Sequence, residues 1–129
     1  MPKRLPRPTD AELAILRVLW DRGPSTVRQV NDVLSVSRET GYTTTLKLMQ
    51  IMAEKGLVTR DETDRSHRYA ARWSQDRTQQ QLIADLVQRA FGGSAIALVM
   101  QALSAKPATA EELDDIRKLI DQHRKAGRS

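Results

Sequence analysis

The chain has 129 residues, 40% of them apolar and 29% charged, which is the composition of a globular chain and not of a disordered one. No apolar run approaches the ~20 residues that a membrane-spanning helix needs, so no membrane insertion is expected, and the absence of cysteine excludes disulfides, thiolate metal sites and a cysteine nucleophile. The net charge of +5 is concentrated early: residues 1–72 hold 13 Lys+Arg against 9 Asp+Glu, whereas residues 73–129 hold 8 against 7. An excess of that sign points to a polyanionic partner, most often nucleic acid.

The chain begins with a basic, proline-rich stretch (residues 1–8) that reads as a flexible arm, without the apolar segment of a signal peptide, so a cytoplasmic protein is expected. Thr9-Asp10-Ala11-Glu12 is a capping-box pattern that opens a helix. Leu13, Leu16, Leu19 and Trp20 give it an apolar face, widened by Ile15 and Val18, and Gly23-Pro24 ends it. Ser25 is the expected N-cap of a second, short helix carrying Val27, Val30, Val33 and Leu34, with a polar break from Ser35 to Glu39. A third helix is expected from about Gly41 to Glu54, stopped by Lys55-Gly56.

The period then changes. Leu57 to Arg60 and His67 to Arg72 read as two strands of a hairpin with a charged tip. Beyond Ser74 the chain returns to helical spacing. Leu82, Ile83, Leu86, Val87, Ala90 and Phe91 form one apolar stripe, and Gly92-Gly93 interrupts it. Ile96, Leu98, Val99, Met100 and Leu103 form a second. After Pro107, Thr109-Ala110-Glu111-Glu112 is another capping box, leading into Leu113, Ile116, Leu119 and Ile120.

Three helices and a charged hairpin in about 65 residues have the order of a winged helix-turn-helix, whose third helix enters the major groove. In that helix Tyr42, Leu46, Met49 and Ala53 share one face, with Leu48 and Met52 beside it. Thr43, Lys47, Gln50 and Glu54 share another, flanked by Thr44. Threonine hydroxyls can bond phosphates or base edges, and Lys47 can reach phosphate or guanine. Three consecutive threonines are a poor choice for helix propensity alone. On the hairpin, Arg65 and Arg68 are the candidate phosphate contacts. His67 reads as a strand residue near the tip, and Tyr69 and Trp73 as core or junction packing.

The three apolar stripes of the last 50 or so residues exceed what a three-helix tail can bury alone, so a twofold partner is expected. Leu82, Leu86, Phe91, Leu98, Val99, Leu113, Ile116 and Ile120 are the candidate interface residues. No nucleophile–base pair, phosphate loop or metal-ligand spacing is present, so no catalytic, metal or cofactor site is expected. The expected class is mainly α with a small β-hairpin wing. Its parts are the arm (1–8), a DNA-binding winged helix (9–73) and a helical dimerisation domain (74–125). The competing reading is a winged-helix protein-interaction module with only non-specific DNA binding.

These residues resemble the penicillinase-repressor family of bacterial regulators (the BlaI/MecI type). The matching stretches are Glu12-Leu13-Ala14-Ile15-Leu16 with Leu19-Trp20, Thr26-Val27-Arg28-Gln29-Val30 and Gly41-Tyr42-Thr43-Thr44-Thr45. Lys55-Gly56-Leu57-Val58, His67-Arg68-Tyr69, Phe91-Gly92-Gly93-Ser94 and Glu111-Glu112-Leu113 continue the match. The resemblance implies a homodimeric repressor on a palindromic operator of double-stranded DNA, with contacts carried over to Thr43, Thr44, Lys47, Arg65 and Arg68. Position 45, commonly Val in the family, is Thr here, and position 47, often small and polar, is Lys. Some members are inactivated by cleavage at an Asn-Phe bond, but Met100-Gln101-Ala102-Leu103 holds none, so the resemblance assigns no regulatory protease. Copper-responsive relatives use C-terminal cysteines, which this chain lacks.

Lys3, Arg4 and Arg7 are read as a solvated tail and not as a minor-groove arm. Deleting residues 2–7 is therefore expected to leave operator affinity unchanged in a fluorescence-anisotropy titration, and a weaker complex would make the arm part of the interface.

Overall fold

The computed structural model describes residues 6–128; the expected arm up to Leu5 lies outside the described residues. In chain order the elements are α1 (Asp10–Arg22), β1 (Ser25–Thr26), α2 (Val27–Ser37), α3 (Tyr42–Lys55), β2 (Val58–Asp61) and β3 (Arg68–Ala71). They are followed by α4 (Gln75–Ala90), α5 (Ala95–Ala105) and α6 (Ala110–Arg128). The chain divides into two compact units, the first ending at Ala84 and the second starting at Asp85, so the division falls within α4.

The first unit is a winged helix-turn-helix. Its core is Ile15, Leu16, Val18 and Leu19 from α1, Val27 and Val30 from α2, Met49 and Met52 from α3, and Leu57, Val58 and Tyr69 from the hairpin. Each such side chain contributes about 1.5–3 kcal/mol by leaving water. The buried face of α1 is centred on Ile15, Leu16 and Leu19, with Leu13 and Trp20 only partly buried at its edges.

Two expectations shift. Ser25 does not cap α2. Thr26 does, accepting from Gln29 N–H at 3.2 Å while the Gln29 side chain accepts from Thr26 N–H at 2.8 Å. The capping box needs its acceptor three residues ahead of Gln29, and that residue is Thr26. Ser25 and Thr26 instead form a short strand on Tyr69 and Arg68, giving an antiparallel sheet of order β1-β3-β2. The expected break at Ser35 is also displaced. No glycine or proline lies there, and α2 continues to Ser37.

One ion pair ties the first helix to the third. The Glu12 carboxylate is buried, at 1% exposure, although Glu12 sits in the first turn of α1. One of its oxygens, Oε1, accepts from Thr9 N–H at 2.8 Å and from Lys55 Nζ at 2.7 Å. Lys55 is the last residue of α3. Gly56 then takes the left-handed conformation, φ 82°, that turns the chain into β2, and a Cβ there would lie 3.3 Å from the Arg72 guanidinium. Burial pushes the Glu12 carboxyl up, but the Lys55 ammonium and the Thr9 hydrogen bonds outweigh it and hold the group below its ordinary 4.5.

In the second unit Gly92 and Gly93, with φ of 56° and 85°, make the break between α4 and α5 that the sequence predicts. Ser94 caps α5, accepting from Ala97 N–H at 3.1 Å, and Thr109 with Glu112 forms the expected capping box of α6. Among the described residues beyond Ala84, only Asp85 and Val87 are buried.

Removing Lys55 leaves a buried carboxylate without its cation, so Lys55→Met is expected to cost about 2 kcal/mol in urea unfolding at neutral pH. The folded Glu12 value is lowered, so its contribution is complete above the unfolded value of 4.5 and is lost as pH falls through the folded one. The gap between wild type and Lys55→Met should narrow over that acid range, and a gap independent of pH would show that the pair does not operate.

Candidate nucleic-acid interface

The third helix has the two faces the sequence predicts, rotated slightly. Thr45, Met49 and Met52 are the residues turned fully into the core, and Leu46, Leu48 and Ala53 pack partly against it. Tyr42, expected on the apolar face, is 46% exposed; it lies in the first turn, where the Arg28 guanidinium sits 5.6 Å from its ring centroid. Thr43, Thr44, Lys47 and Gln50 are all exposed, together with Glu54. They form an uninterrupted stripe of hydroxyl, ammonium and amide groups, the donors that base edges and phosphates accept from.

The third threonine has a different task. Thr45 is fully buried, and its hydroxyl donates to Asn31 Oδ1 of α2 at 2.8 Å. Its methyl group fills core space while its hydroxyl is satisfied across the α2–α3 contact, which fixes the pitch of the exposed stripe relative to α2. Neither the burial of Thr45 nor its partner was visible in the sequence, where Asn31 reads as an ordinary polar residue.

The start of α3 is uncapped. Thr9, Thr26 and Thr109 each close a capping box on their helices, but Gly41 stands at the N-cap of α3 with no side-chain hydrogen bond. The N–H groups of its first turn therefore stay open beside Thr43 and Thr44, with the positive end of the helix dipole, an arrangement that suits an anion.

The wing is the β2–β3 hairpin, with Arg60 opposite Tyr69 and Asp61 opposite Arg68. Its tip is partly self-paired. Arg60 is engaged by the Glu62 carboxylate. The backbone N–H and hydroxyl of Thr63 hold the Asp61 carboxyl below its ordinary value. Arg65 and Arg68 are both exposed, as a phosphate contact requires. Arg65, Ser66 and His67 close one side of a cleft of about 310 Å³ whose other walls are Thr26, Arg28, Tyr42 and Leu46. The structure thus brings Arg65 toward the starts of α2 and α3, and adds Arg28, Tyr42 and His67 to the polar surface there. The sequence put Tyr42 on the apolar face and His67 in the strand and gave Arg28 no role; the signal for Arg28 was its place two residues after the α2 cap.

The candidate interface residues of the C-terminal region are all accessible to some degree. Leu82, Phe91, Leu98 and Ile116 are half-buried, and Leu86, Val99, Leu113 and Ile120 are exposed. The three most exposed apolar side chains of the C-terminal helices lie outside that set: Ile96 at 68%, Met100 at 65% and Leu119 at 53%. All three belong to the apolar stripes that the sequence predicts.

A buried trihelical core, a wing beside the third helix and a donor-rich outer face on that helix define the winged helix-turn-helix class. Comparison with known proteins agrees. Residues 8–122 match the family model described as "Penicillinase repressor", and the chain belongs to that family. It is 36% identical over 119 residues to proteins named "Transcriptional regulator BlaI" from two Mycobacterium tuberculosis strains, covering 91% of this chain and 85% of the relative. The solution structure of the DNA-binding domain of the repressor BlaI shares the fold at a TM-score of 0.50 and 22% identity, covering 57% of this chain and 89% of that one. So does the monomeric form of Bacillus licheniformis BlaI in complex with the blaP half-operator, at a TM-score of 0.50 and 20% identity over the same shares.

The Thr45–Asn31 bond gives a test that separates packing from recognition. Asn31→Ala leaves a buried hydroxyl without its acceptor and is expected to cost about 1–3 kcal/mol, while adding Thr45→Val should restore most of it. Thermal unfolding of the two single variants and the double variant reads the coupling, and additive effects would show that the bond contributes nothing.

Proposed function

We propose that the chain is a sequence-specific, DNA-binding transcriptional repressor that acts in the cytoplasm as a homodimer on a palindromic operator. The observation that carries this reading is the exposed stripe Thr43, Thr44, Lys47 and Gln50 on a helix whose opposite face is locked into the core. Arg65 and Arg68 of the wing supply phosphate contacts beside it. Phosphate contacts position such a helix and base contacts specify the site, so Thr43, Thr44 and Gln50 are assigned to base edges and phosphates, and Lys47 to phosphate or guanine. Family membership and the likeness in fold to a half-operator complex support DNA binding by this winged helix.

The homodimer is supported by the exposed apolar residues of α4, α5 and α6, notably Ile83, Ile96, Met100, Leu113, Leu119 and Ile120. Exposed apolar side chains in this number point to an interaction site, and a second copy gives a twofold arrangement that matches a palindrome. In this reading residues 9–73 bind DNA and residues 74–125 form the dimer. The reading is non-enzymatic: the polar groups of the site are donors arranged along a helix, with no paired acid and base.

The test is a salt titration of binding to the chain's own promoter region against a scrambled duplex of equal length. Specific sites typically bind ~10³-fold or more tightly than non-specific ones, and that gap should persist as salt rises. Lys47→Ala is expected to weaken operator binding about tenfold or more while sedimentation still shows a dimer. Equal affinities that collapse together with salt would instead favour the protein-interaction module.

A further inference from the structure

The chain's two tryptophans meet at the exit from the winged helix. Trp20, near the end of α1, donates its indole N–H to the Trp73 carbonyl at 3.0 Å, a bond across 53 residues of sequence. Trp73 lies between the last strand and the last helix of the first unit. Its ring carries the guanidinium of Arg72 at 5.1 Å and that of Arg77, in the first turn of α4, at 4.7 Å. Each such contact adds attraction of the cation–π kind. Arg72 N–H donates to the Leu57 carbonyl at 3.0 Å, which prolongs the hairpin up to Trp73. One residue further on, Ser74 Oγ accepts from Arg77 N–H at 3.1 Å and starts α4. Thr78, one turn in, is buried.

No slack remains in this passage. Residues 57–91 include neither glycine nor proline, and only two residues separate β3 from the Ser74 cap. The Trp73 indole N–H is itself buried without a hydrogen-bond partner, so the ring is held by packing and by the two guanidiniums. The ring is engaged through its face, while its polar edge goes unused.

We infer that Trp73 is a positioning residue: with Trp20 and Arg77 it fixes the direction in which α4 leaves the winged helix. In a dimer joined through the C-terminal helices, that direction sets the separation of the two recognition helices and hence the half-site spacing the protein accepts. The spacing consequence rests on the dimeric-operator reading above; the fixed exit of α4 does not. The partners of Trp73 named above, Trp20, Arg72 and Arg77, belong neither to the donor stripe nor to the exposed apolar set.

Two measurements on the full chain test the inference. The first needs no DNA. Because the chain lacks cysteine, Glu54→Cys and Ala84→Cys place spin labels only on α3 and α4. Labelled chain is diluted into excess unlabelled chain, so the measured distances are intramolecular. A narrow distribution is expected with Trp73 and with Trp73→Phe, which keeps a ring, and one at least about twofold broader with Trp73→Ala. Equal widths in all three overturn the inference. Where Trp73→Ala fails to fold, Trp20→Phe keeps an aromatic ring but removes the bond to the Trp73 carbonyl, and should broaden the distribution in its place.

The second measurement compares duplexes bearing one half-site, two half-sites at the natural spacing, and two half-sites moved by about two base pairs. Trp73→Ala is expected to bind the single half-site within about twofold of wild type while losing about tenfold of the preference for natural spacing. A parallel loss on all three duplexes overturns the inference, since Trp73 would then only stabilise the winged helix. A wild-type chain without any spacing preference defeats the dimeric-operator reading instead, and the spin-label distances alone then decide the positioning role.

Discussion

The fold turns on a carboxylate that is taken out of water at the first turn of the first helix. Glu12 is asked to cap α1, and a surface glutamate would do that equally well. Its burial makes the same oxygen available to Lys55 at the far end of α3. A buried charge is tolerated only when it is paired and hydrogen-bonded, so this site demands that the start of α1 and the end of α3 stay together. The Thr45–Asn31 bond makes a similar demand nearer the other end of α3, toward α2. Between these two polar anchors lie Met49 and Met52, whose flexible side chains fit many packings and specify none sharply. Apolar packing supplies most of the stability of the unit, and the two polar links supply the register that presents the outer stripe.

Much of this was legible in the sequence, and the reasons are local. Capping boxes are read from residues three apart, so α1 and α6 were located from Thr9-Glu12 and Thr109-Glu112. Gly56, Gly92 and Gly93 marked turns because the chain needs a left-handed residue there. The hairpin followed from a change of period. The failures are equally physical. Ser25 and Thr26 are both good caps, and the choice between them depends on Gln29 reaching back and on β3 pairing with both residues, a contact over 40 residues away in sequence. Tyr42 has an apolar ring at an apolar position in the helical repeat, yet the first turn of α3 projects beyond the core and leaves it to Arg28. Glu12, Thr45 and Asn31 carry no sign in one dimension that distinguishes a buried polar group from an exposed one.

The candidate site was legible for a further reason. A donor-rich stripe on a helix with an apolar opposite face can be counted from the sequence, and all four of its residues, Thr43, Thr44, Lys47 and Gln50, are exposed. The surroundings were not countable. Arg28, Tyr42 and His67 join the same surface only because the starts of two helices and the base of the wing converge, and no spacing rule connects residue 28 to residue 67.

Burial is divided unequally between the two units. The first unit closes a core of its own and leaves polar groups outside. The second leaves Ile96 and Met100 of α5 and Leu119 of α6 in water, and no residue of α5 is buried. Such a helix cannot derive its stability from propensity alone, because eleven residues are too few for an isolated helix in water. Its stability has to come from apolar contacts made on those faces. In the proposed homodimer a second copy would offer the same residues in return, so a twofold pairing would satisfy both chains with one surface. On this view dimer formation and the folding of the C-terminal helices are one equilibrium. The apparent stability of α5 and α6 would then rise with protein concentration, while that of the winged helix, which has its own core, would not.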